Sequence, residues 1–150
     1  MVRSGRDSDA GQAVGMNWHR TAGVAVGGVL GATVRWIVLT TVTTGGRMPW
    51  AVLGVNVVGS AVLGALLAED WHHPRRRLWF HDIGGIGFCG GLTTFSTFSV
   101  EVVDLVHRDA LGIAVSYGLL SVGLSIAGVL AGAGLLRRIR PVAVPLEGQL

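Results

Sequence analysis

The chain has 150 residues, half of them hydrophobic and only 14% charged, with a mean hydropathy of +0.56. A soluble domain carries about 25% charged residues, so this chain lacks the material to face water on all sides. One cysteine excludes an internal disulfide framework, and the twelve cationic residues, all arginine, sit in the gaps between apolar runs rather than in one patch suited to nucleic acid.

Crossing a hydrocarbon core roughly 30 Å thick takes about 20 helical residues. After a polar tail at 1–17, residues 21–42 form the first apolar run, whose only charge is Arg35. The tail and the interrupting arginine argue for a retained helix rather than a cleaved signal peptide. A central arginine costs about 3 kcal/mol on insertion scales, so Arg35 is expected to point inward or to an interface. Gly23, Gly27 and Gly31 recur at four-residue spacing, a ridge that lets another helix approach closely.

The connector GGRMP leads into a second, uncharged run at 49–68, which holds Ser60 and Gly64 four apart and one amide near its centre, Asn56. The amide offers two N–H donors and one acceptor, to an interhelical bond or to a polar path. EDWHHPRRR then precedes the third run, 83–100, which carries no charge but five glycines and five hydroxyls. Glycine costs about 1 kcal/mol relative to alanine inside a helix. Gly90-Gly91 followed by Leu92-Thr93-Thr94 therefore predicts a helix broken near mid-membrane, releasing carbonyls that suit a hard cation and N–H groups that suit an anion. A glycine kink packed on a neighbouring helix, with its hydroxyls bonded to their own backbone, fits the same composition; spacing alone does not separate the two.

Beyond that point Phe95 and Phe98 share a helical face with Ser99, and Glu101 closes the segment. Phenyl edges are electropositive and can contact an anion, although a phenylalanine pair also serves plain packing. After HRD, the fourth run spans 110–136 and is long enough to tilt or protrude. It places Tyr117, Ser121 and Ser125 at four-residue steps on one face, and Gly123, Ala127 and Ala131 as a small-residue ridge, with Gly128 and Gly132 beside it. A short tail follows at 141–150.

The reading is an all-α membrane protein: a four-helix domain at 18–140 flanked by two tails. Nine arginines fall on the side of the two tails and the second connector, against Arg47 and Arg108 on the other. That bias puts both termini in the cytoplasm. His81, Asp82, Asp104 and the His72-His73 pair fall at the borders of the spans and read as interfacial. No nucleophile elbow, phosphate loop or carboxylate pair supports an enzyme. Asn, Ser, Thr, Tyr and ring edges without a buried acidic ring favour a small, strongly hydrated anion over a cation.

GFCGGLTTFSTFSVE at 87–101, with GGVLGATVRW at 27–36 and GVNVVGSAVLG at 54–64, resembles the Fluc (CrcB) family of fluoride channels. The resemblance covers residues 20–137. It implies a multi-pass plasma-membrane protein that lowers cytoplasmic fluoride by passive efflux through two pores of an antiparallel dimer. It implies further a structural Na⁺ at the dimer centre on the carbonyls of Gly90 and Thr93. Asn56, Phe95, Phe98, Tyr117, Ser121 and Ser125 would line the fluoride path; Ser96, Thr97 and Glu101 fall within the matching motif and Arg35 in the first helix. A homodimer inserted both ways should have balanced arginines, so the bias favours pairing with an oppositely oriented homologue over pairing with itself. The competing readings are a small proton-coupled, multidrug-type transporter, for which Glu101 is the one candidate carboxylate, and a non-transporting assembly protein.

Overall fold

A computed structural model of the chain describes residues 18–42, 46–68 and 73–139. The tails at 1–17 and 141–150, with Arg3, Arg6 and Arg140, and His72 of the second connector, lie outside the described residues. Among the described residues every regular element is a helix: α1 (Trp18–Thr41), α2 (Trp50–Leu67), α3 (Pro74–Arg76), a π-helical segment (Arg77–Cys89), α4 (Gly90–Leu92), α5 (Phe95–His107) and α6 (Leu111–Ile139). Four of its stretches are long and apolar enough to cross a membrane: Trp18–Thr41, Trp50–Leu67, Pro74–His107 and Leu111–Ile139. Their outward faces carry exposed Val, Leu and Ile along every span, as expected of surfaces that meet lipid.

The packing falls into two pairs, α1 against the π segment and α2 against α6. Small residues make both possible. On α1, Gly23, Gly27 and Gly31 are buried, and a methyl group added to Gly27 would strike the carbonyl of Ile83 and sit 3.1 Å from Gly87 Cα. On α6 the residues in contact are Gly128 and Gly132, against Val57 and Ala61 of α2, while Gly64 of α2 meets Val129. The ridge expected at Gly123, Ala127 and Ala131 does not pack: nothing lies within 4 Å of a Cβ built on Gly123, and both alanines are exposed. Five residues advance a helix by 500°, so Gly123 and Gly128 point well apart, and Tyr117 and Ser121 on the buried face decide which stripe turns inward.

The third span is longer than the run 83–100, because it begins at Pro74 and takes in Arg77, His81 and Asp82. Asp82, expected at a membrane border, is buried within the protein. It is 1% exposed; Arg20 Nε donates to its Oδ2 (2.6 Å) and Arg20 Nη2 to its Oδ1 (3.0 Å), with His81 Nδ1 2.8 Å from that same Oδ1. A bidentate guanidinium satisfies a buried carboxylate, and this one ties the start of α1 to the π segment. The face turned to α1 carries Ile83, Gly87 and Gly91: Ile83 packs on Gly23, and a Cβ built on Gly87 or Gly91 would strike the carbonyl of Val24 or Gly28.

Between α4 and α5 the backbone leaves the helix for two residues. Thr93 (φ −75°, ψ 150°) and Thr94 (φ −145°, ψ 122°) are extended, and α5 restarts at Phe95. At the other end of α5, Asp109 (φ 55°) adopts the left-handed conformation and reverses the chain into α6. The Ala110 N–H reaches the Leu105 carbonyl at 2.9 Å and Asp109 N–H reaches that of Val106 at 3.1 Å, the double bond of a Schellman cap. Leu105 and Ala110 are buried together with Leu53, Ala114 and Tyr117, and this cluster is the aliphatic core of the bundle.

Candidate functional site

The non-helical step at Thr93 and Thr94 stands opposite the middle of α2, and Asn56 binds both sides of its backbone. Thr94 N–H donates to Asn56 Oδ1 at 2.8 Å, and Asn56 Nδ2 donates to the Thr94 carbonyl at 3.1 Å. In a continuous helix that N–H would close on the carbonyl of Gly90. Its capture by Asn56 withdraws the ladder bond from Gly90 and supplies a side-chain substitute at Thr94. Gly59, one turn along α2, lets Thr93 come close: a Cβ there would lie 2.6 Å from Thr93 Cγ2. Arg35 reaches in from α1, with Nη1 3.1 Å from the Thr93 carbonyl, so its charge points inward as the insertion cost demands.

Thr94 itself, 7% exposed, is the N-cap of α5. Its Oγ1 accepts from the Thr97 N–H at 3.2 Å, donates to Thr97 Oγ1 at 3.1 Å and lies 3.2 Å from Ser96 Oγ. The hydroxyls of this region thus divide by geometry. Thr93 and Ser99 donate to their own helix, to the carbonyls of Cys89 and Phe95. Thr94, Ser96 and Thr97 form the capping cluster.

A groove of about 260 Å³ opens beside this step. Asn56 and Ser60 of α2 and Ser121 and Ser125 of α6 give it a polar wall. Thr93, Thr94, Phe95 and Phe98 line it from the third span, with Leu63 and Val122 filling in. Among the described residues, the hydroxyls of Ser60, Ser121 and Ser125 bond to no protein group, and none of the lining side chains is ionisable. Phe95, 78% exposed, stands at the rim with its ring 5.6 Å from that of Phe98 and tilted by 40°.

Tyr117 continues the line of Ser121 and Ser125 but is closed off from the groove. It is fully buried, its ring 5.2 Å from that of Phe98, and its hydroxyl donates to Glu101 Oε2 at 2.6 Å. Glu101 belongs to a second cavity of about 240 Å³, together with Arg47, Asp104 and Arg108. Tyr117 and Phe98 therefore stand between a neutral, hydroxyl-lined groove and a charged one. Asp104 pairs with Arg108 at 2.7 Å, an exposed i,i+4 contact.

Of the residues singled out from the sequence, Asn56, Thr93, Phe95, Phe98, Ser121 and Ser125 meet in one groove. Ser96 and Thr97 support it through Thr94, Arg35 through the Thr93 carbonyl, and Glu101 through Tyr117. Gly90 lies on the outer side of α4, with open space beside it. Sequence reasoning gave Thr94 and Ser60 no role in the site. The signal for Thr94 was available, a threonine preceding a fresh amphipathic run, which is the mark of an N-cap. Ser60 was read only as part of a packing ridge.

Among the described residues no three His, Cys, Asp or Glu gather closely enough to hold a metal ion. A cation at this step would rest on main-chain oxygens.

The architecture is that of a small four-span membrane protein built around a helix interruption and a neutral, donor-rich groove. The family described as "CrcB-like protein, Camphor Resistance (CrcB)" matches residues 22–133, and the chain belongs to that family. It is 42% identical over 112 residues to the fluoride-specific ion channel FluC of Bordetella bronchiseptica, covering 75% of this chain and 84% of that one. It is also 40% identical over 120 residues to FluC 1 of Nocardia farcinica (79% and 81% covered) and 36% identical over 129 residues to FluC of Nitrobacter winogradskyi (83% and 100%).

Proposed function

We propose that this chain is one half of a fluoride-selective channel that lets the anion leave the cytoplasm down its electrochemical gradient. The observation that carries the reading is the groove: three unengaged hydroxyls and a tilted phenylalanine pair line one space with no carboxylate on its walls. A small anion gives up strong hydration only to a dense set of weak donors, and hydroxyls, amide N–H groups and ring edges are such donors. A full positive charge would hold the ion rather than pass it. The names of the relatives supply the identity of the anion.

In this reading the Thr93–Thr94 step lies at mid-membrane, where irregular backbone is tolerated if it borders protein or water. The remaining wall comes from a second, antiparallel copy or an oppositely oriented homologue, which completes two pores and covers Phe95. The residues fit a sodium ion at that junction: the Gly90 carbonyl has lost its ladder donor, the Thr93 carbonyl sits in extended backbone, and the space beside Gly90 is open. Both are neutral, hard oxygens, and two fill only part of a sodium shell, so the partner's main chain would supply the others. The ion would lend the junction fixed positive charge and hold the halves together. Arg35, on the same Thr93 oxygen, limits how much further charge that atom can bear. The protein sits in the plasma membrane with both termini cytoplasmic, as the arginines favour.

Efflux of fluoride and of chloride from liposomes carrying the purified channel, alone or with any chain that copurifies, tests the reading. Fluoride should leave and chloride should not, and Phe95→Ile should slow fluoride by at least about tenfold, the scale of one lost contact worth roughly 1.4 kcal/mol. Equal flux of the two halides, or an unaffected Phe95→Ile channel, would overturn it.

A further inference from the structure

We propose that the start of the third span is a docking site for one anionic phospholipid, with Arg75 and Arg76 holding the headgroup phosphate and Trp79 lying along the glycerol and upper acyl region. The inference stands apart from the fluoride reading and uses none of its residues.

A cavity of about 780 Å³ is lined here by His73, Arg75, Arg76, Trp79 and Phe80. Both arginines are exposed, and Trp79 is 58% exposed on the turn that follows them. Among the described residues no carboxylate pairs with Arg75, Arg76 or Arg77. The nearest described acid in sequence, Asp82, is fully engaged by Arg20 and His81. Cations alone would suit any soluble anion. Here they adjoin an exposed indole at the end of a membrane-spanning helix, the level at which tryptophan settles between headgroup and hydrocarbon. Guanidinium forks match phosphate oxygens bidentately, and the ring gives the glycerol backbone an apolar floor. A ligand that is anionic at one end and apolar at the other fits both halves; a free phosphate or a nucleic acid fits only the first.

Quenching of tryptophan fluorescence by brominated lipids, measured on the full-length protein in mixed vesicles, tests this. The Trp79→Phe variant isolates the share due to that residue. Brominated phosphatidylglycerol should half-saturate quenching of Trp79 at about a fivefold lower mole fraction than brominated phosphatidylcholine, the effect of one arginine near an anionic headgroup. The Arg75→Gln/Arg76→Gln variant should lose this preference. The Arg137→Gln/Arg138→Gln variant, which removes the same charge from the end of α6, should keep it. Equal quenching by both lipids in the unaltered protein overturns the site, as does a preference that survives Arg75→Gln/Arg76→Gln. Loss in both double variants alike would show net charge rather than a site. Relief of quenching by inorganic phosphate at constant ionic strength would make it a pocket for a soluble anion. The last two outcomes also defeat the proposal.

Discussion

Asn56 and Thr94 hold each other in place, and their exchange of two hydrogen bonds is what stabilises the interrupted backbone. Removing one partner leaves polar main-chain groups unpaired, which costs about 1–3 kcal/mol. Asn56→Ala should lower the melting temperature in detergent by that equivalent and reduce fluoride efflux with it. Thr94→Ala keeps the backbone bonds but loses the cap to Thr97, for about 1 kcal/mol, while Thr94→Ser should restore it. A melting series that ranks Asn56→Ala no worse than Thr94→Ser would contradict this account. At Glu101 the prediction separates two mechanisms. The amide carbonyl introduced by Glu101→Gln can still accept from the Tyr117 hydroxyl, so a channel should go on conducting. A proton-coupled transporter would stop, because its one candidate carboxylate would be gone; flux abolished by this substitution would favour it.

At the scale of elements, two devices delimit α5. Thr94 starts it with a capping hydroxyl, and Asp109 ends it in the left-handed region that L-residues other than Asn and Asp avoid. Asp109→Gly relieves the conformation and should be neutral or raise stability by up to about 1 kcal/mol. Asp109→Val should lower it by about 1–2 kcal/mol, because a branched Cβ meets the carbonyl there. Thermal unfolding monitored by circular dichroism reads both, and equal melting for the two variants would remove the cap from the account. The sequence points to Gly90-Gly91 as helix breakers, yet these glycines are helical and the extended residues are the two threonines after them. Glycine permits a departure; the amide across the groove fixes where it occurs. Likewise, four-residue spacing found the α1 ridge and two adjoining small-residue stripes on α6, between which only packing on α2 selects Gly128 and Gly132.

For the whole molecule, the arginine bias is the feature with the largest consequence. Nine arginines belong to the two tails, the start of the first span and the second connector against two in the other connectors, and under the proposed topology that bias would insert the chain predominantly one way. Expressed alone, it should produce far less fluoride efflux than when co-expressed with a homologue of opposite bias. Full activity from this chain alone, with protease-accessible tags on both sides of the membrane, would show that it pairs with itself instead. The ion pair of Arg20 with Asp82 belongs to this scale too, because it joins the first and third spans at the arginine-rich end across 62 residues of sequence.

The number of spans, their approximate limits, the uneven charge and the crowding of glycine, hydroxyl and phenyl groups at 84–99 are properties of composition and period. They were therefore fixed by the chain itself, through the length an apolar helix needs and the faces it repeats. Which hydroxyls stay free, which carbonyl Arg35 meets, that Tyr117 turns to Glu101 and that Asp82 is buried with Arg20 depend on residues 16 to 62 positions apart. No local pattern encodes a contact between two helices that each satisfy their own backbone. Only when α2, α6 and the third span close together do their side chains find partners, and the groove keeps the three serine hydroxyls left without one.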